Sequence, residues 1–323
     1  MNRIPDGAEK PVVIGLDAGG TCFKASLVNV FGEIMSGSSN ERRVDTNGSR
    51  ESVLESYADI VRMEKKIAEE KGVSIAGIGI STPGPFHYEN AASQMTHKFK
   101  NIYGVNLRAE IRNRCQAGEI PILFLHDSHA FLMGEYCAND EVGAFQNVAG
   151  ITLGTGTGFA LIRSGRLLEN ENGGPYISIY GRPYQGKTVD DYLSARGIIR
   201  LYSELSGRSA DEGFDVKNIE YFAAKNNDRA ALEAFSQTGA YLADMMREIL
   251  REQEIECFVL GGQISKGYPL MEASISKGLE AVDTLKKICP GKNINFSAQI
   301  GAADMIFKHI NMPMRRKGRV VSV

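Results

Sequence analysis

The chain has 323 residues, of which 43% are hydrophobic and 24% charged, a composition typical of a folded soluble protein long enough for two domains. Its 37 Lys and Arg residues are balanced by 39 Asp and Glu residues, so no basic excess is present to bind the phosphates of a nucleic acid. No apolar run approaches the roughly 20 residues that span a bilayer, and the first residues lack the apolar core of a signal peptide. We therefore expect a cytoplasmic protein with neither a nucleic-acid nor a membrane partner.

The cysteines and histidines do not indicate a metal cluster. Five cysteines are scattered along the chain, at positions 22, 115, 137, 257 and 289, and none belongs to a CxxC pair. This pattern argues against a disulfide framework and against a cysteine-based zinc site. His126 and His129 lack other ligands at a suitable spacing, so we interpret both as core or surface side chains.

The predicted elements of the first half alternate between strands and helices. An apolar strand over 11–17 is followed by a turn at Gly19 and Gly20. A second strand begins at position 22, because apolar and polar residues alternate there. A third strand is predicted over 33–39, and a helix over 50–71 that ends at Gly72. Strands follow at 75–80 and 122–125, separated by a loop-like stretch over 86–106, and a helix follows at 128–138.

The second half opens with the same pattern of strand, glycine turn and strand, here over 148–163. A long helical region over 190–254 comes next. The remaining predictions are a strand at 257–262, a helix at 268–282, a strand at 293–298 and a helix at 301–310. Alternating strands and helices predict an α/β fold. The repeated opening suggests two related halves, each offering a glycine hairpin to one ligand.

Three glycine-rich turns are the strongest functional signal: DAGGT (17–21), LGTGTG (153–158) and GGQIS (261–265). Glycine removes the Cβ that would keep a phosphate away from backbone N–H donors, and the hydroxyls of Thr21 and Thr155 add further donors. One such turn alone is more often only a tight turn, but three together favour nucleotide binding. The spacing is not that of a P-loop, and Phe159 stands where a GxGxxG motif requires glycine.

Two aspartates follow directly on predicted strands. Asp17 precedes the first glycine turn, where a carboxylate can hold Mg²⁺ through bound water or can hydrogen-bond the turn itself. Asp127 lies at the carboxyl end of a strand, where ligands collect in α/β sheets, and the same position suits a helix N-cap. The local sequence leaves both pairs of alternatives open.

Taken in chain order, five segments resemble the ROK family (repressor, open reading frame, kinase), within the superfamily of actin, hexokinase and the heat-shock chaperones. The matching segments are IGLDAGGT (14–21) for the first phosphate motif, STPGP (81–85) with GVNL (104–107) for the sugar domain, LHDSHAFLMGE (125–135) for the catalytic-aspartate motif, LGTGTGFALIRSGRL (153–167) for the second phosphate motif and FVLGGQIS (258–265) for the adenosine motif.

The resemblance implies a two-lobed actin-like ATPase (ribonuclease H-like) fold, an α/β fold with mixed sheets flanked by helices. The smaller lobe would comprise 1–123 and a C-terminal helix within 301–323, and the larger lobe 124–300. The implied activity is the ATP- and Mg²⁺-dependent phosphorylation of a hexose or hexose-derivative hydroxyl, in a cleft between the two lobes of the chain. The resemblance also implies a homodimer.

Carried over by motif, Asp127 takes the position of the general base, and Asp17 that of the Mg²⁺-side carboxylate acting through water. The residues implied at the ATP site are Gly19, Gly20, Thr21, Gly154, Thr155, Gly156, Gly158, Gly261, Gly262 and Gln263. Those implied near the sugar substrate are Lys98, His126, Asn172 and Asp190.

The sugar-binding half departs from the family pattern. Many members carry a His and a CxCGxxGC zinc knuckle, whereas this chain reads GRPYQGKTVDDYLSARG (181–197) there. ENENGGPYISIYGR (169–182) stands where a sugar-contacting Glu-Ile-Gly-His segment is usual. His126 replaces the usual Asn before the catalytic Asp, and Lys98-Phe99 replaces Asn-Leu. We therefore expect no zinc and a preferred sugar other than plain glucose.

Two alternatives accompany these expectations. Lys98 either turns inward, which would favour an acidic sugar, or lies in solvent on a loop; the second reading is the commoner fate of a lysine. A non-catalytic sugar or nucleotide sensor is the alternative function, although a sensor needs no base at Asp127. A DNA-binding repressor of this family carries an N-terminal helix-turn-helix, and only about ten residues precede the first predicted strand.

Overall fold

The computed structural model describes residues 11–314. The first ten residues, and all but the first residue of the basic closing segment 314–323 that we predict to be a solvated tail, lie outside the described range. Contacts divide the chain into two units. Unit 1 comprises the residues up to Gly143, Glu169–Pro175 and the residues from Asn295 onward. Unit 2 comprises Ala144–Leu168 and Tyr176–Ile294. The predicted lobe boundary after residue 123 stays a prediction.

The elements before residue 140 all belong to unit 1. They are β1 (Val12–Ala18), β2 (Cys22–Val28), β3 (Asn40–Arg43), α1 (Arg50–Lys71), β4 (Ile75–Thr82), β5 (Phe86–His87), β6 (Ala92–Ser93), a 3₁₀ turn (Lys100–Ile102), α2 (Leu107–Cys115), β7 (Ile122–His126) and α3 (Asp127–Ala138).

The later elements belong to unit 2, except for the last helix, which returns to unit 1. They are β8 (Val148–Leu153), β9 (Thr157–Arg163), β10 (Arg166–Leu167), β11 (Pro183–Tyr184), β12 (Lys187–Thr188), α4 (Val189–Leu193), α5 (Ala195–Ser206), a 3₁₀ turn (Ala210–Glu212), α6 (Val216–Asn226), α7 (Arg229–Glu252), β13 (Cys257–Gly261), a 3₁₀ turn (Gln263–Gly267), α8 (Tyr268–Leu279), β14 (Lys287–Pro290) and α9 (Ser297–His309).

The sheet of unit 1 has the strand order β3-β2-β1-β4-β7. β1 pairs antiparallel with β2 across the Gly19-Gly20 turn, as predicted, and parallel with β4, which in turn pairs parallel with β7. β1 is buried on both faces: Ile14 and Leu16 pack in one apolar cluster with α1, and Val13 packs in another with α9. A strand covered on both faces reads as a continuous apolar run, which is the pattern that predicts it.

Two glycines let α9 lie directly on this sheet. A Cβ on Gly15 would stand 2.2 Å from the carbonyl oxygen of Gln299, and one on Gly79 would stand 2.0 Å from that of Ala302. Real Cβ atoms cannot approach backbone so closely. The glycines of β1 and β4 therefore set the distance between helix and sheet, and with it the position of the strand ends that follow them.

The sheet of unit 2 repeats this arrangement, with the strand order β10-β9-β8-β13-β14. β8 pairs antiparallel with β9 across the second glycine turn and parallel with β13, and β13 pairs parallel with β14. α5, α7 and α8 contribute to one apolar cluster with β8, β9 and β13. The two related halves predicted from the repeated strand-turn-strand pattern are therefore confirmed at the level of topology.

Two predicted strands are wrong. Within 33–39 only Ile34 forms an isolated bridge, to Val28; Gly37 adopts a φ of 76°, and the hydroxyl of Ser38 takes the N–H of Leu27 that a strand would otherwise pair. The third strand of the sheet is β3 instead. The apolar pattern of 293–298 belongs to the entry of α9, and the strand beside β13 is β14.

The other elements follow their predictions closely. α1 ends at Gly72 in the left-handed conformation, as expected of a glycine C-cap. The long region 190–254 is divided into α4, α5, α6 and α7. Within residues 11–314, no helix combines the length and the apolar composition that crossing a membrane requires.

Candidate active site

Asp17 lies near the carboxyl end of β1, beside the end of β4. The hydroxyl of Ser81 on β4 donates a hydrogen bond to Asp17 Oδ1 over 3.1 Å. This bond crosses to the neighbouring strand and does not involve the glycine turn that was the alternative partner. Burial and the nearby charge of Asp127 raise the pKa of Asp17 to about 6, against the opposing effects of Ser81 and Lys24. A cation beside a carboxyl group with a raised pKa would favour the ionised form of that group.

Asp127 is the first residue of α3, directly after β7. The N-cap is His126, whose ring accepts the N–H of Ser128, so the reading of Asp127 as the N-cap is corrected by one position. Asp127 Oδ1 also accepts the N–H of Ser128, over 2.7 Å. Burial opposes ionisation of Asp127, but His126, Lys98 and the Ser128 N–H outweigh it and hold its pKa at about 2. The carboxylate is ionised at neutral pH and 43% exposed.

Lys98 turns toward the site. Its side chain is partly buried, and its Cδ lies 3.9 Å from the position that a Cβ on Gly20 would occupy. Its charge contributes to the low pKa of Asp127. This placement favours the inward alternative for Lys98, because the turn at Gly20 offers its aliphatic chain a partly buried path. Asp17, Gly20, Lys98 and Asp127 form one group in unit 1.

Three further residues lie beside this group: Tyr88, His129 and Glu169. No motif in the sequence points to them. The ring of His126 lies 6.3 Å from that of Tyr88 and 5.7 Å from that of His129, centroid to centroid. His129 is fully buried, and its Nδ1 lies 3.7 Å from Glu169 Oε1. Among the described residues neither ring nitrogen of His129 has a hydrogen-bond partner. Burial, together with His126 but against Asp127, lowers the pKa of His129 to about 3.

Sequence signals for these three residues are weak. His129 reads as an ordinary core histidine, Tyr88 lies in a loop-like stretch, and Glu169 is one acidic residue in ENEN. The segment 169–175 packs on Tyr88, because a Cβ on Gly173 would stand 3.2 Å from the Cβ of Tyr88. Asn172, expected near the sugar, is an exposed member of this segment, and its N–H donates to Asn170 Oδ1.

The first glycine turn presents Gly20 and Thr21 to solvent. A Cβ on Gly19 would stand 3.0 Å from the carbonyl oxygen of Cys22, so this position accepts a larger residue only if the turn shifts. The turn is fixed on its far side, where the carbonyl of Thr21 accepts the N–H of Val44. The turn therefore combines a fixed backbone with an open outer face.

The second glycine turn, in unit 2, is held by Asp190. Asp190 Oδ1 accepts the N–H of Thr157 over 2.8 Å, and Oδ2 pairs with Arg196 over 2.7 Å. The carbonyl of Gly154 accepts the N–H of Ala195 at the start of α5. Asp190 was expected near the sugar, and that role stays a prediction; in the structure its two oxygens accept from the turn and from Arg196. Thr155 and Gly156 are exposed, and Gly158 lies in β9, paired with Thr152.

The third glycine turn supports the second. Gly261 ends β13, and Gly262 adopts a φ of 79° with its Cβ position only 2.1 Å from the carbonyl oxygen of Leu153. Only glycine accepts both this conformation and this contact. Gln263 begins a 3₁₀ turn, and its side chain accepts from Lys266. The backbone of the third turn thus rests against the residue that precedes Gly154.

A family model decides the relationship of this chain to known proteins. The model of the ROK family matches residues 13–309. The chain belongs to the ROK family. Glucokinase of Thermotoga maritima is 25% identical over 322 residues, covering 92% of this chain and 98% of that protein. N-acetylmannosamine kinase of Escherichia coli O157:H7 is 24% identical over 270 residues, covering 79% and 84%.

Solved structures confirm the fold. The ROK family glucokinase from Streptomyces griseus, in complex with glucose and AMPPNP, superposes with a TM-score of 0.74 at 20% identity, covering 91% of this chain and 98% of that one. At this identity the likeness establishes the fold alone. The actin-like ATPase fold with mixed sheets flanked by helices, expected from the motifs, is therefore confirmed.

The segment that replaces the zinc knuckle of many ROK members is a short aromatic hairpin. β11 and β12 pair antiparallel, and the rings of Tyr184, Tyr192 and Tyr241 pack together with centroid distances of 5.0–6.2 Å. Tyr184 also donates to Asp244 on α7, and Thr188 and Asp191 form a capping box at the start of α4. In residues 11–314 no three His, Cys, Asp or Glu side chains are grouped as a metal site. The absence of zinc stays a prediction.

Proposed function

We propose that this chain is an ATP-dependent sugar kinase that transfers the γ-phosphoryl group to a hydroxyl of a hexose or hexose derivative, with Asp127 as the general base. The observation that carries the proposal is the state of Asp127. It is an ionised, accessible carboxylate at the carboxyl end of β7, grouped with Asp17, Lys98 and the first glycine turn. The kinase names of the matched relatives support the same reaction.

The residues of unit 2 fit a nucleotide phosphate. The second glycine turn is open at Thr155 and Gly156 and rigid behind them, where Asp190 and Gly262 hold it. The buried hydroxyls of Thr157 and Ser194 have no hydrogen-bond partner among the described residues. Buried polar groups are nearly always paired, so these hydroxyls favour a bound polar ligand at this turn. We assign the phosphates of ATP to Gly154, Thr155 and Gly156 and the adenosine to Gly261, Gly262 and Gln263.

Asp17 fits a Mg²⁺ site in unit 1. The carboxyl group lies beside Asp127, whose charge helps to raise its pKa to about 6, so a divalent cation would stabilise its ionised form. Mg²⁺ keeps most of its water, and one carboxylate is a sufficient protein ligand. When bound, Mg²⁺ would offset the negative charge of the phosphate oxygens.

In the proposed reaction the sugar hydroxyl attacks the γ-phosphorus, the bond to the bridging oxygen of ADP breaks, and the hydroxyl proton passes to Asp127. The carboxylate is partly exposed and so accessible to a substrate hydroxyl. Lys98 carries a positive charge beside the acceptor site, which would balance the charge of the transferred group or of an acidic sugar. Gly19, Gly20 and Thr21 would fix the phosphate end nearest to the acceptor.

The side chains around Asp127 do not favour plain glucose as the preferred substrate. His126 and Lys98 stand at positions where relatives carry Asn, and 169–182 lacks the usual Glu and His. Each mispaired hydroxyl in a closed site costs about 1–3 kcal/mol, so two of them would weaken glucose by tens-fold or more. Of the positions predicted near the sugar, we retain Lys98, His126 and Asn172 and assign Asp190 to the phosphate turn.

The decisive experiment is ADP release measured with a panel of neutral, N-acetylated and acidic hexoses. We expect Mg²⁺-dependent turnover with a member other than glucose, and no effect of a zinc-selective chelator on rate or melting temperature. Asp127→Asn should lower kcat by about 10²–10⁴-fold with ATP binding retained. Sugar-induced stabilisation without any turnover would establish the sensor instead. A kcat/KM for glucose of about 10⁵ M⁻¹s⁻¹ or more, unmatched by other sugars, would refute the specificity claim.

A further inference from the structure

His129 lies on the first turn of α3 and is fully buried. Neither of its ring nitrogens has a hydrogen-bond partner within residues 11–314. Burial, together with His126 but against Asp127, lowers the pKa of His129 to about 3, so the ring is neutral at pH 7 and carries one N–H donor and one lone pair. Buried polar groups are nearly always paired, so an unpartnered ring at this place favours a polar partner that approaches it.

The ring of His129 faces the carboxylate of Glu169. His129 Nδ1 lies 3.7 Å from Glu169 Oε1, which is beyond the limit of about 3.2 Å for an N–H···O hydrogen bond. The side chain of Glu169 is 48% exposed, so a small rotation of that side chain closes the gap. An ionised carboxylate can only accept, so the pair is satisfied when Nδ1 carries the proton of the neutral ring.

The segment that begins at Glu169 holds its own backbone in place. Asn170 Oδ1 accepts the N–H groups of Asn172 and Gly174, and an antiparallel bridge joins Glu169 to Pro175. The whole segment belongs to unit 1. The backbone therefore presents Glu169 at a defined place beside α3, while the carboxylate itself stays partly exposed.

Asp127 and Glu169 border the same part of unit 1. The ring of His126, which precedes Asp127 in the chain, lies 5.7 Å from the ring of His129 and 6.3 Å from that of Tyr88. Burial, then the charge of Asp127 and then that of Glu169 raise the pKa of the Tyr88 hydroxyl, so both carboxylates act on one oxygen. Because a hexose carries hydroxyl groups on neighbouring carbons, one molecule can donate to both carboxylates.

We propose that Glu169 is a specificity residue for the acceptor sugar: its carboxylate accepts a hydrogen bond from a hydroxyl group other than the one that Asp127 deprotonates. His129 is the positioning residue behind it, because its buried Nδ1–H donates to the same carboxylate and orients it. This inference rests on the proposed function, since it takes Asp127 to mark the acceptor end of the site. A sugar without that hydroxyl would leave the carboxylate unpaired, which is how a hydrogen-bonding site rejects such an analogue.

A bound water is a different partner that would serve both His129 and Glu169. A water would satisfy the pair whether or not a sugar is bound, and it would give Glu169 no influence on which sugar binds. Sugar analogues that lack single hydroxyl groups therefore separate the two cases.

The test is the dissociation constant of hexoses, measured by calorimetry without ATP for the full chain, for Glu169→Ala and for the matched control Glu171→Ala. The probes are glucose, mannose, galactose, N-acetylglucosamine and N-acetylmannosamine, followed by the monodeoxy analogues of the sugar that binds most tightly. Glu171 is an exposed acidic residue of the same segment, so its variant makes the same change of charge. Glu169 is also exposed, so Glu169→Ala should fold like the parent protein.

We expect one monodeoxy analogue to bind the parent protein and Glu171→Ala roughly tenfold or more weakly than the complete sugar. In Glu169→Ala the same two sugars should bind within about threefold of each other, with the discrimination against the other analogues unchanged. Ratios that Glu169→Ala leaves unchanged for every analogue would overturn the proposal, and so would a lack of hexose binding to the parent protein. A chain that binds hexoses in the expected pattern but releases no ADP would overturn the proposed function and not this inference.

Two variants with opposite expectations test the role of His129. His129→Asn keeps an N–H near the position of Nδ1, whereas His129→Leu removes it and leaves an apolar side chain in the buried site. We expect the discrimination against the deoxy analogue to fall about three- to tenfold in His129→Leu and to return toward the parent value in His129→Asn, with KM for ATP unchanged in both. A purely structural role predicts the reverse order, because a buried Leu packs well and a buried Asn adds unpaired polar groups. That reverse order would overturn the positioning role of His129.

Discussion

The two glycine hairpins have the same topology and opposite chemical surroundings. Each joins the first two strands of a sheet with the same strand order. The hairpin of unit 1 lies beside Asp17, Lys98 and Asp127, three charges held at unusual pKa values or partly buried positions. The hairpin of unit 2 is held by one carboxylate, Asp190, whose two oxygens are already engaged. Under the proposed function, the unit 1 hairpin would lie beside the reacting groups and the unit 2 hairpin would bind phosphate.

This difference follows from what each turn packs against. In unit 1 the turn leaves its outer face to Lys98 and solvent. In unit 2 Gly262 fits against Leu153 and fixes the strand that leads into the turn. A rigid backbone with exposed N–H groups is suited to binding phosphate. Shifted pKa values are typical of groups that take part in proton transfer.

The largest effect should come from breaking the support of the unit 2 turn with Gly262→Ala. The added Cβ meets the Leu153 carbonyl at 2.1 Å in a backbone with φ of 79°, so we expect a loss of roughly 3–5 kcal/mol in the free energy of unfolding. Denaturant melts measure it. Gly207→Ala is the matched control, because Gly207 has a φ of 71° and open space around it, and should cost only about 1 kcal/mol. Equal costs would show that the contact with Leu153 is not tight.

Unit 1 should be sensitive to acid because of His129. The pKa of the buried ring is lowered from 6.5 to about 3, so the unfolded chain binds the proton more tightly than the folded one. Stability is therefore full above about pH 6.5 and is lost as the pH falls toward 3, by roughly 2–4 kcal/mol. His129→Phe should flatten this part of the curve of unfolding free energy against pH. An unchanged slope would place the acid sensitivity elsewhere.

Asp190 should matter to ATP rather than to the sugar. Asp190→Ala removes the acceptor for the Thr157 N–H and the partner of Arg196, so we expect KM for ATP to rise about tenfold or more, with stability lowered by about 1–3 kcal/mol. Asp190→Asn keeps an oxygen for Thr157 and should have the smaller effect. A rise in KM for the sugar alone would return Asp190 to the sugar site, where the sequence placed it.

The smallest effect should be the pH dependence contributed by Asp17. Its pKa is raised from 3.8 to about 6, so the folded chain binds the proton more tightly than the unfolded one. Its contribution to stability is therefore present below about pH 4 and is lost as the pH rises through 6, by roughly 1–2 kcal/mol. Asp17→Asn keeps an oxygen to accept from Ser81 and should raise the stability of the ligand-free protein at pH 7. A lower stability in this variant would contradict the raised pKa.

Much of the fold could be predicted because its signals are local. The strand beginning at Val12, the turn at Gly19 and Gly20, the repeat at 148–163 and the glycine that ends α1 all follow from apolar periodicity and backbone conformation. The two wrong strands, at 33–39 and 293–298, are apolar stretches whose periodicity does not tell a strand from a bridge or a helix start. The final helix was predicted, but only its packing on α3 and the sheet fixes its start at Ser297.

The candidate site divides in the same way. The three glycine turns and the two strand-end aspartates follow from the sequence alone, because residue type and spacing fix what a turn or a strand end can present. Three features emerge only from the folded chain: Lys98 lies near Asp127, Asp190 holds a turn, and His126, not Asp127, caps α3. These outcomes depend on which side chains approach from distant parts of the chain, and on the burial and charge that result. A linear sequence specifies neither until the chain has folded.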